Sequence, residues 1–284
     1  MVASIGELLR LDSARVADAL GCSVADARRE VQILLCRALG VGQAWLLAHP
    51  ESAPEGGIQE RYGALLARRL AQEPIAYILG EREFYGLLFE VTPDVLIPRP
   101  ETELLVELAL TRVPKAAPWR ILDLGTGSGC IAITLASLLP HARVLATDLS
   151  EAALAVAGRN AGRHRVANID LRRGSWFEPV GTQRFDLIIS NPPYIAASDP
   201  HVQQGDLRFE PAAALVADAN GFAALSEIVA EAPRHLLSGG WLMVEHGYDQ
   251  GAAVTQFLLA SGFEDVFSRN DLAGIPRVAG GRRP

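Results

Sequence analysis

The chain has 284 residues, of which 49% are hydrophobic and 21% are charged, and its formal net charge is −7. This composition argues against a disordered protein, because such a chain can bury a substantial core, and the length favours two domains of unequal size. The acidic balance disfavours a nucleic-acid partner, since binding to phosphates usually requires a basic face.

The N-terminus and the cysteines indicate the compartment. The first twenty residues lack a basic stretch followed by an apolar run, so we expect no secretory signal. No apolar stretch approaches the ~20 residues that a membrane span requires. Cys22, Cys36 and Cys130 are far apart and have no metal-ligand spacing, which predicts buried reduced thiols rather than a disulfide framework. We therefore expect a soluble cytoplasmic protein.

Residues 1–75 are predicted to form an all-helical N-terminal domain. Leu8, Leu9, Val16 and Leu20 recur at helical spacing, and similar leucine and valine patterns follow further along this stretch. Glycines interrupt the pattern and separate the helices. The stretch contains no recognisable catalytic constellation.

Residues 76–100 are predicted to form a β-hairpin linker. Aromatic residues lie on both sides of Gly86 in the segment 83–91, which is typical of two short strands joined by a turn. The next segment leads into a helix, and we expect Thr102 or the neighbouring acidic residues to cap that helix.

Residues 101–284 alternate predicted strands and helices, which indicates a parallel sheet covered by helices on both faces. The predicted strands are 120–124, 143–147, 169–172, 185–190, 240–245 and two near 263–268 and 276–280, and the predicted helices are 128–139, 151–163, 221–237 and 249–261. In such sheets ligands bind beyond the carboxyl ends of the strands. Each motif described below lies at such an end.

A glycine-rich turn follows the first of these strands. It contributes the candidate cofactor-binding residues Asp123, Gly125, Thr126, Gly127, Ser128 and Gly129. The glycines allow the backbone to approach a ligand closely, and the next helix offers its N-terminal amides. The G-x-G-x-G spacing differs from the dinucleotide G-x-G-x-x-G pattern. Asp123 would repel a pyrophosphate but suits an ammonium group, such as that in the methionine part of S-adenosylmethionine.

Asp148 and Trp176 extend the candidate cofactor site. Asp148 ends the second strand, and a carboxylate there can accept hydrogen bonds from ribose hydroxyls; its alternative role is to cap helix 151–163 together with Ser150. Trp176 follows the third strand and is expected to form a wall of an adenine pocket, more so than Phe177. Packing in the core is the alternative for both aromatic side chains.

The fourth strand leads into Asn191-Pro192-Pro193-Tyr194, the candidate chemical site. The prolines stiffen the backbone and remove two amide donors, so the carbonyls of Asn191 and Pro192 and the Asn191 side-chain oxygen can accept hydrogen bonds from a planar NH2 group. Tyr194 supplies a flat face. We assign catalysis to Asn191, Pro192 and Tyr194, and substrate binding to all four residues. Methyl transfer to an amide-type nitrogen then depends on positioning and electrostatics. The alternative interpretation of the four residues is a rigid turn that only ends the strand.

These residues resemble the amino-methyltransferases with an N/D-P-P-Y/F motif, which act on adenine in DNA, on RNA or on protein glutamine. The segments 73–80, 84–87 and 95–103 resemble the signature of the PrmC/HemK-type peptide chain release factor N5-glutamine methyltransferases more specifically. The resemblance covers nearly the whole chain. In the C-terminal part, the family pattern Asp-x-x-Gly-Arg-Asp-Arg corresponds to residues 271–277, from which Ile275-Pro276 departs.

The resemblance implies a Rossmann-like class I methyltransferase fold: an α/β domain with a mostly parallel seven-stranded sheet whose last strand is antiparallel. It implies that S-adenosylmethionine is converted to S-adenosylhomocysteine and that the glutamine of the Gly-Gly-Gln motif in release factors becomes N5-methylglutamine. It also implies that Asn191 lies near the cofactor as well as near the substrate amide, so that it is a cofactor-binding residue too, and that the helical domain docks on the release factor. We expect a monomer with no metal, no stable nucleic-acid partner and no membrane partner.

Two other functions remain open at this point. An adenine-N6 DNA or RNA methyltransferase would need a basic groove beside Tyr194. A non-catalytic binding module could keep the fold without turnover, although the intact glycine turn, Asp148 and Asn191 argue against it.

Overall fold

The computed structural model describes residues 3–284, which form two compact units. One unit extends to Gly80 and includes Gln204–Phe209; the other consists of Glu81–Gln203 and Glu210–Pro284. The three-part division at residues 75 and 100 stays a prediction.

The first unit is helical, as the leucine and valine spacing predicts. Its helices are α1 (Ile5–Leu20), α2 (Val24–Leu39), α3 (Gln43–Ala48), α4 (Gly57–Leu70) and α5 (Ile75–Leu79). A capping box between Ser4 and Glu7 begins α1, and Gly21 ends it in the left-handed conformation. Fully buried leucine, isoleucine and valine side chains fill the space between the helices, so apolar burial is the main stabilising contribution.

Buried polar side chains fix the geometry of the first unit. The guanidinium of Arg69, whose residue is only 5% exposed, binds Glu30 at 2.7 Å and Asp206 at 3.3 Å. The phenol of Tyr62 donates a 2.8 Å hydrogen bond to Asp12. The contact of Arg69 with Asp206 connects the segment Gln204–Phe209 to this unit, although the segment is distant in sequence.

The second unit is an α/β domain built on a seven-stranded sheet. The strands of the unit are β1 (Glu81–Phe84), β2 (Leu87–Glu90), β3 (Arg120–Leu124), β4 (Arg143–Asp148), β5 (Ile169–Arg173), β6 (Phe185–Ser190), β7 (Ile195–Ala196), β8 (Val216–Ala217), β9 (Leu236–Glu245), β10 (Glu264–Asn270) and β11 (Pro276–Arg282). The helices are α6 (Glu103–Arg112), α7 (Cys130–Leu138), α8 (Glu151–His164), α9 (Ala212–Leu215), α10 (Asp218–Gly221), α11 (Ala223–His235) and α12 (Gly251–Ala260).

The sheet has the order β10-β11-β9-β6-β3-β4-β5. Strands β9, β6, β3, β4 and β5 are mutually parallel, whereas β11 runs antiparallel to both of its neighbours. The predicted fold, a mostly parallel seven-stranded sheet with an antiparallel last strand, is confirmed. Two apolar layers, one on each face of the sheet, form the core.

The register of the parallel strands brings their carboxyl ends to one edge. Leu124 of β3 pairs with Thr147 of β4 and with Ser190 of β6, and Ser190 pairs with Val244 of β9. The residues that follow these positions in the chain therefore meet at this edge, where ligands bind in parallel α/β sheets.

The predicted hairpin in the segment 83–91 is present as β1 and β2, which pair antiparallel with Phe84 opposite Leu87. Tyr85 and Gly86 form its two-residue turn with φ angles of 52° and 77°. Both turn residues thus occupy the left-handed region that tight hairpin turns require.

Two expectations about the chain need correction. Helix α11 ends at His235 and β9 begins at Leu236, so the predicted helix 221–237 is too long and the predicted strand 240–245 too short. Pro233 lies in the last turn of α11, and it lacks the amide proton that a continuing helix uses. Among the thiols expected to be buried, Cys22 is exposed because it follows the end of α1 in a turn. The other two thiols are half-buried.

The helices of residues 3–284 are all too short or too polar to cross a membrane.

Gly280 provides a test of the packing between β11 and its neighbours. A methyl group there would lie 2.5 Å from the carbonyl oxygen of Leu242 and 2.7 Å from the ring of Phe267. We expect Gly280→Ala to lower the free energy of unfolding by about 1–3 kcal/mol, as overpacked sites do. Urea unfolding measures this change. Gly158→Ala in α8 is the control, because its methyl group meets Leu171 at an ordinary 3.8 Å and helix propensity favours alanine by about 0.5–1 kcal/mol. Equal effects of the two substitutions would contradict the prediction.

Candidate active site

A cavity of about 460 Å³ opens at the carboxyl edge of the sheet, entirely within the second unit. The residues of the predicted site that line it are Gly125, Thr126, Gly127, Ser128, Asp148, Trp176, Asn191 and Pro193. The remaining predicted residues, Asp123, Gly129, Pro192 and Tyr194, are not part of this lining. The cavity therefore brings the candidate cofactor residues and the candidate chemical residues to one place.

The glycines of the loop after β3 are required by its conformation. Gly125, Gly127 and Gly129 have φ angles of 69°, 56° and 82°, in the region that side chains disfavour. A methyl group on Gly129 would lie 2.7 Å from Ile133, and one on Gly125 would lie 3.4 Å from the ring of Trp176. The loop can thus follow the cavity wall closely only because these positions lack side chains.

Asp123 is a fully buried carboxyl behind the glycine loop. Its Oδ2 accepts a 2.6 Å hydrogen bond from the Thr126 hydroxyl, while its Oδ1 has no partner among the described residues. Burial raises the pKa of Asp123 to about 7, and the Thr126 hydroxyl opposes this shift. A buried carboxylate oxygen without a partner is costly, and a cationic group bound nearby would compensate that cost.

Asp148 ends β4 and contacts the glycine loop directly. Its Oδ2 accepts from the amide of Gly127 at 2.8 Å, and its Oδ1 accepts from the amide of Ser150 at 2.9 Å. Ser150, rather than Asp148, caps α8, since its hydroxyl accepts from the amide of Ala153. Burial raises the pKa of Asp148 and these amides oppose the shift. The carboxylate is thus held in the cavity wall with lone pairs left for a ligand.

Trp176 and Phe177 lie in different surroundings. Trp176 lines the cavity and packs against Gly125, and its backbone has a φ of 40°. Phe177 is buried and stacks on the ring of His235, with the centroids 4.6 Å apart. Only the first of the two aromatic side chains is therefore available to a ligand in the cavity.

A buried asparagine connects the hairpin to the glycine loop. The Asn160 side chain of α8 donates to the carbonyls of Ser128 and Glu90 at 2.9 and 3.0 Å, and it accepts from the amide of Glu90 at 2.7 Å. Three hydrogen bonds fix this amide completely inside the protein. Sequence reasoning missed Asn160, since one asparagine within a predicted helix carries no distinguishing pattern.

The segment Asn191-Pro192-Pro193-Tyr194 follows β6 directly. Outside the strand ladders, no described residue donates a hydrogen bond to the main-chain carbonyls of Asn191 or Pro192. Pro192 is buried, and the phenol of Tyr194 donates a 3.2 Å hydrogen bond to Glu245. Burial raises the pKa of the Tyr194 phenol well above its usual range, so this side chain stays a neutral donor.

The side chain of Thr102 contacts Asn191 instead of capping the next helix. Thr102 occupies the N-cap position of α6, as expected, but its side chain makes no capping hydrogen bond; of the acidic alternatives, Glu103 lies in the first turn. The Asn191 Nδ2 donates a 3.1 Å hydrogen bond to the Thr102 hydroxyl. The carbonyl oxygen is thus the end of the Asn191 amide that remains to accept a hydrogen bond in the cavity.

Residues of the loop 94–102 line the cavity, and Glu210 fixes this loop. The Glu210 side chain is fully buried, pairs with Arg99 and accepts a 3.0 Å hydrogen bond from the amide of Ile97. The segment 95–103 carries part of the family resemblance, but the sequence does not indicate its partner Glu210. A contact between residues so distant in sequence leaves no local signal.

Glu245 is a second residue that sequence reasoning missed. It ends β9, is 1% exposed, and accepts the hydrogen bond from Tyr194. The strand-end rule that singled out Asp148 applies equally to Glu245 and could have found it.

The C-terminal loop that departs from the family pattern is ordered by Asp271. Its carboxylate accepts from the amides of Ala273 and Ile275 and from the guanidinium of Arg277. The hydrogen bond from Ile275 is the main cause of a lowered pKa of Asp271. The turn is therefore ordered although Ile275-Pro276 departs from the family pattern, and β11 begins at Pro276.

Among residues 3–284 no group of three or more His, Cys, Asp or Glu could bind a metal ion.

Comparison with known proteins reveals similarity in sequence and in fold. Residues 101–221 match the family model described as "Methyltransferase small domain", and residues 9–80 match the one described as "PrmC N-terminal domain". The release factor glutamine methyltransferase of Bordetella pertussis is 52% identical over 255 residues, which cover 89% of this chain and 94% of that protein. The protein of the same name from Burkholderia pseudomallei is 49% identical over 277 residues, with 95% and 97% covered.

A solved methyltransferase structure from Pyrococcus furiosus is similar in fold, with a TM-score of 0.54 and 20% identity over 76% of this chain and 96% of that one. At this level of identity the likeness extends to the fold alone.

The buried Asp123 predicts a pH-dependent stability. Its pKa rises from 3.8 to about 7 on folding, so the folded protein retains a proton that the unfolded chain releases. The free energy of unfolding should therefore fall as the pH rises from 5 to 8. Urea unfolding of the ligand-free protein measures this fall, which should be smaller in Asp123→Asn because the amide does not titrate. Equal slopes in the two proteins would contradict the assignment.

Proposed function

The chain belongs to the family of release factor glutamine methyltransferases, and we propose from this membership that it transfers a methyl group from S-adenosylmethionine to the side-chain amide nitrogen of a glutamine in a peptide chain release factor. The products are N5-methylglutamine and S-adenosylhomocysteine, and the target glutamine is the one in the Gly-Gly-Gln motif. The observation that carries the proposal is the Asn191 amide, which lines the same cavity as the glycine loop and has its carbonyl oxygen free.

The cofactor proposal rests on the walls of the cavity. The glycine loop lets a ligand approach the backbone closely, Trp176 offers a flat apolar face for adenine, and Asp148 offers acceptors for the ribose hydroxyls. Asp123 is buried beside the loop, outside the cavity lining, and its Oδ1 has no partner of normal geometry among the described residues; its charge would favour the ammonium group of the methionine part through the glycine loop. When bound, S-adenosylmethionine would supply a methyl group on a positively charged sulfur.

The substrate proposal rests on acceptors for an NH2 group. Asn191 lines the cavity, and its side-chain and main-chain oxygens are the acceptors that we propose for the two amide hydrogens of glutamine; the Pro192 carbonyl, whose residue is buried outside the lining, would have to be reached from beside Asn191. An amide nitrogen is a poor nucleophile because its lone pair is delocalised. Fixed acceptors on both hydrogens enrich the nitrogen and orient its lone pair, which supplies the positioning and electrostatic contributions that this reaction requires.

No strong general base is needed in this proposal. The methylated nitrogen is acidic and can release its proton after transfer. His235 and His246 contribute no proton step here, because the first stacks on Phe177 and the second is buried away from the cavity lining.

The partner proposals follow from the substrate. We propose that the helical unit docks on the release factor and that the enzyme acts in the cytoplasm, where translation factors work. The monomeric state and the lack of nucleic-acid and membrane partners stay predictions.

A labelling experiment tests the function and its alternatives. The purified protein is incubated with methyl-labelled S-adenosylmethionine and either release factor, release factor with Gln→Ala in its Gly-Gly-Gln motif, DNA or RNA. We expect label on intact release factor alone, and mass spectrometry should find one methyl group on the motif glutamine. Label on the exocyclic amine of adenine would support the nucleic-acid alternative. Cofactor binding without any transfer would support a binding module.

Asn191 and Asp148 should affect different steps. Asn191→Ala removes an acceptor from a fixed site, so kcat should fall roughly 100-fold, equivalent to about 3 kcal/mol, while the Kd for S-adenosylmethionine changes little.

Asp148→Ala should mainly raise the Kd for S-adenosylmethionine, because the ribose acceptors are lost. Calorimetry and steady-state kinetics measure the two effects. Near-normal turnover in Asn191→Ala, or an unchanged Kd in Asp148→Ala, would refute the respective assignment.

A further inference from the structure

We propose that Glu245 is a positioning residue for methyl transfer, which orients Asn191 through the hydroxyl of Thr102 and orients the ring of Tyr194 through its phenol. The proposal rests on the proposed function and adds the group that holds the substrate-binding segment in its working geometry.

Glu245 lies where such a residue must lie. It ends β9, one residue beyond the partner of Ser190 in the parallel pairing of β9 with β6. Because Asn191 follows Ser190, the two strand ends bring the carboxyl beside the substrate-binding segment. Glu245 is 1% exposed, and it does not line the cavity. It can therefore act on a substrate only through other side chains.

Thr102 connects Glu245 to Asn191. The Thr102 hydroxyl accepts the 3.1 Å hydrogen bond from Asn191 Nδ2, so its own proton is directed elsewhere, and the buried Glu245 Oε2 has no partner of normal geometry among the described residues. In the proposed arrangement this proton is directed to Glu245, whose pKa the Thr102 hydroxyl lowers. A hydroxyl has one proton to donate, and when that proton is directed to Glu245 its lone pairs remain for Asn191. Because the Thr102 hydroxyl then acts only as an acceptor towards Asn191, the NH2 end of the Asn191 amide turns to Thr102. The carbonyl oxygen of that amide remains for the substrate.

Tyr194 connects Glu245 to the other side of the substrate-binding segment. Its phenol donates a 3.2 Å hydrogen bond to Glu245 Oε1, and the side-chain amide of Gln250 donates to the Tyr194 carbonyl at 3.0 Å. The second carboxylate oxygen, Oε2, is buried and has no partner of normal geometry among the described residues. The ring and the backbone of Tyr194 are therefore both fixed from the protein side.

The charge state of Glu245 should matter for this role. Burial raises the pKa of Glu245 to about 7; the hydroxyls of Thr102 and Tyr194 and the charge of Arg277 lower it, and the charge of Glu101 raises it. Burial, and to a smaller extent the charge of Glu245, raises the pKa of the Cys130 thiol. An ionised carboxylate can accept from one hydroxyl on each oxygen, whereas a protonated one carries a donor on one oxygen and can then accept well only through the other. Orientation should thus be lost as the pH falls through about 7.

The test is Glu245→Gln in the full-length enzyme, with release factor as substrate. We expect kcat at pH 8 to fall about 10- to 100-fold, the range that a small misplacement of reacting groups produces, with the Kd for S-adenosylmethionine within about twofold of wild type. The pH dependence of kcat between pH 6 and 8, measured at saturating cofactor, should become flat. A merely structural role would leave the shape of that profile unchanged.

His246→Gln is the matched control, because His246 is the next residue, is equally buried and lies outside the Thr102–Tyr194 connection. It should keep both kcat and the wild-type pH profile. Wild-type kcat or an unchanged pH profile in Glu245→Gln would overturn the proposal. Absence of glutamine methylation by the wild-type enzyme would instead overturn the proposed function, so the two failures are distinguishable.

If Glu245→Gln does not fold, Thr102→Val tests the same connection between Glu245 and Asn191. Valine keeps the shape of threonine and removes the hydroxyl that joins Asn191 to Glu245. We expect a loss in kcat of about tenfold or more with little change in cofactor affinity. An unchanged kcat, or a parallel loss of cofactor affinity, would overturn the proposal.

Discussion

The parallel register of four neighbouring strands is the constraint on which the site depends. Strands β4, β3, β6 and β9 end at one edge of the sheet and deliver Asp148, the glycine loop, Asn191 and Glu245, respectively, to it. A shift of one residue in any pairing would turn these side chains to the opposite face. Burial of the apolar residues between them fixes the register, so core packing and site geometry have the same cause.

Desolvation is the second contribution to the site. Asp123 and Glu245 are both buried, and burial raises the pKa of each to about 7. Each carboxyl has one oxygen without a normal partner among the described residues. Such groups reduce stability, and their presence at a cavity edge is typical of sites that tolerate this loss for function.

The sequence predicted the architecture well, because hydrophobic periodicity reports directly on which faces are buried. The strands, the antiparallel end of the sheet and the residues that line the cavity at the strand ends follow from that pattern and from the family resemblance. The contacts made by Thr102, Asn160 and Glu210 were not predictable, since each joins segments far apart in sequence. Thr102 illustrates the reason: helix-start rules assign its hydroxyl to α6, whereas tertiary contact assigns it to Asn191.

The hydrogen bonds of Asn160 have a consequence for how the domain can vary. One amide joins Glu90 of the hairpin to Ser128 of the glycine loop, so these two segments must keep a constant separation. An insertion or deletion that displaced Glu90 by a single residue would remove the two hydrogen bonds that orient the Asn160 amide towards the Ser128 carbonyl. The hairpin is therefore a structural support of the glycine loop, and its length should be restricted as strictly as that of the loop itself.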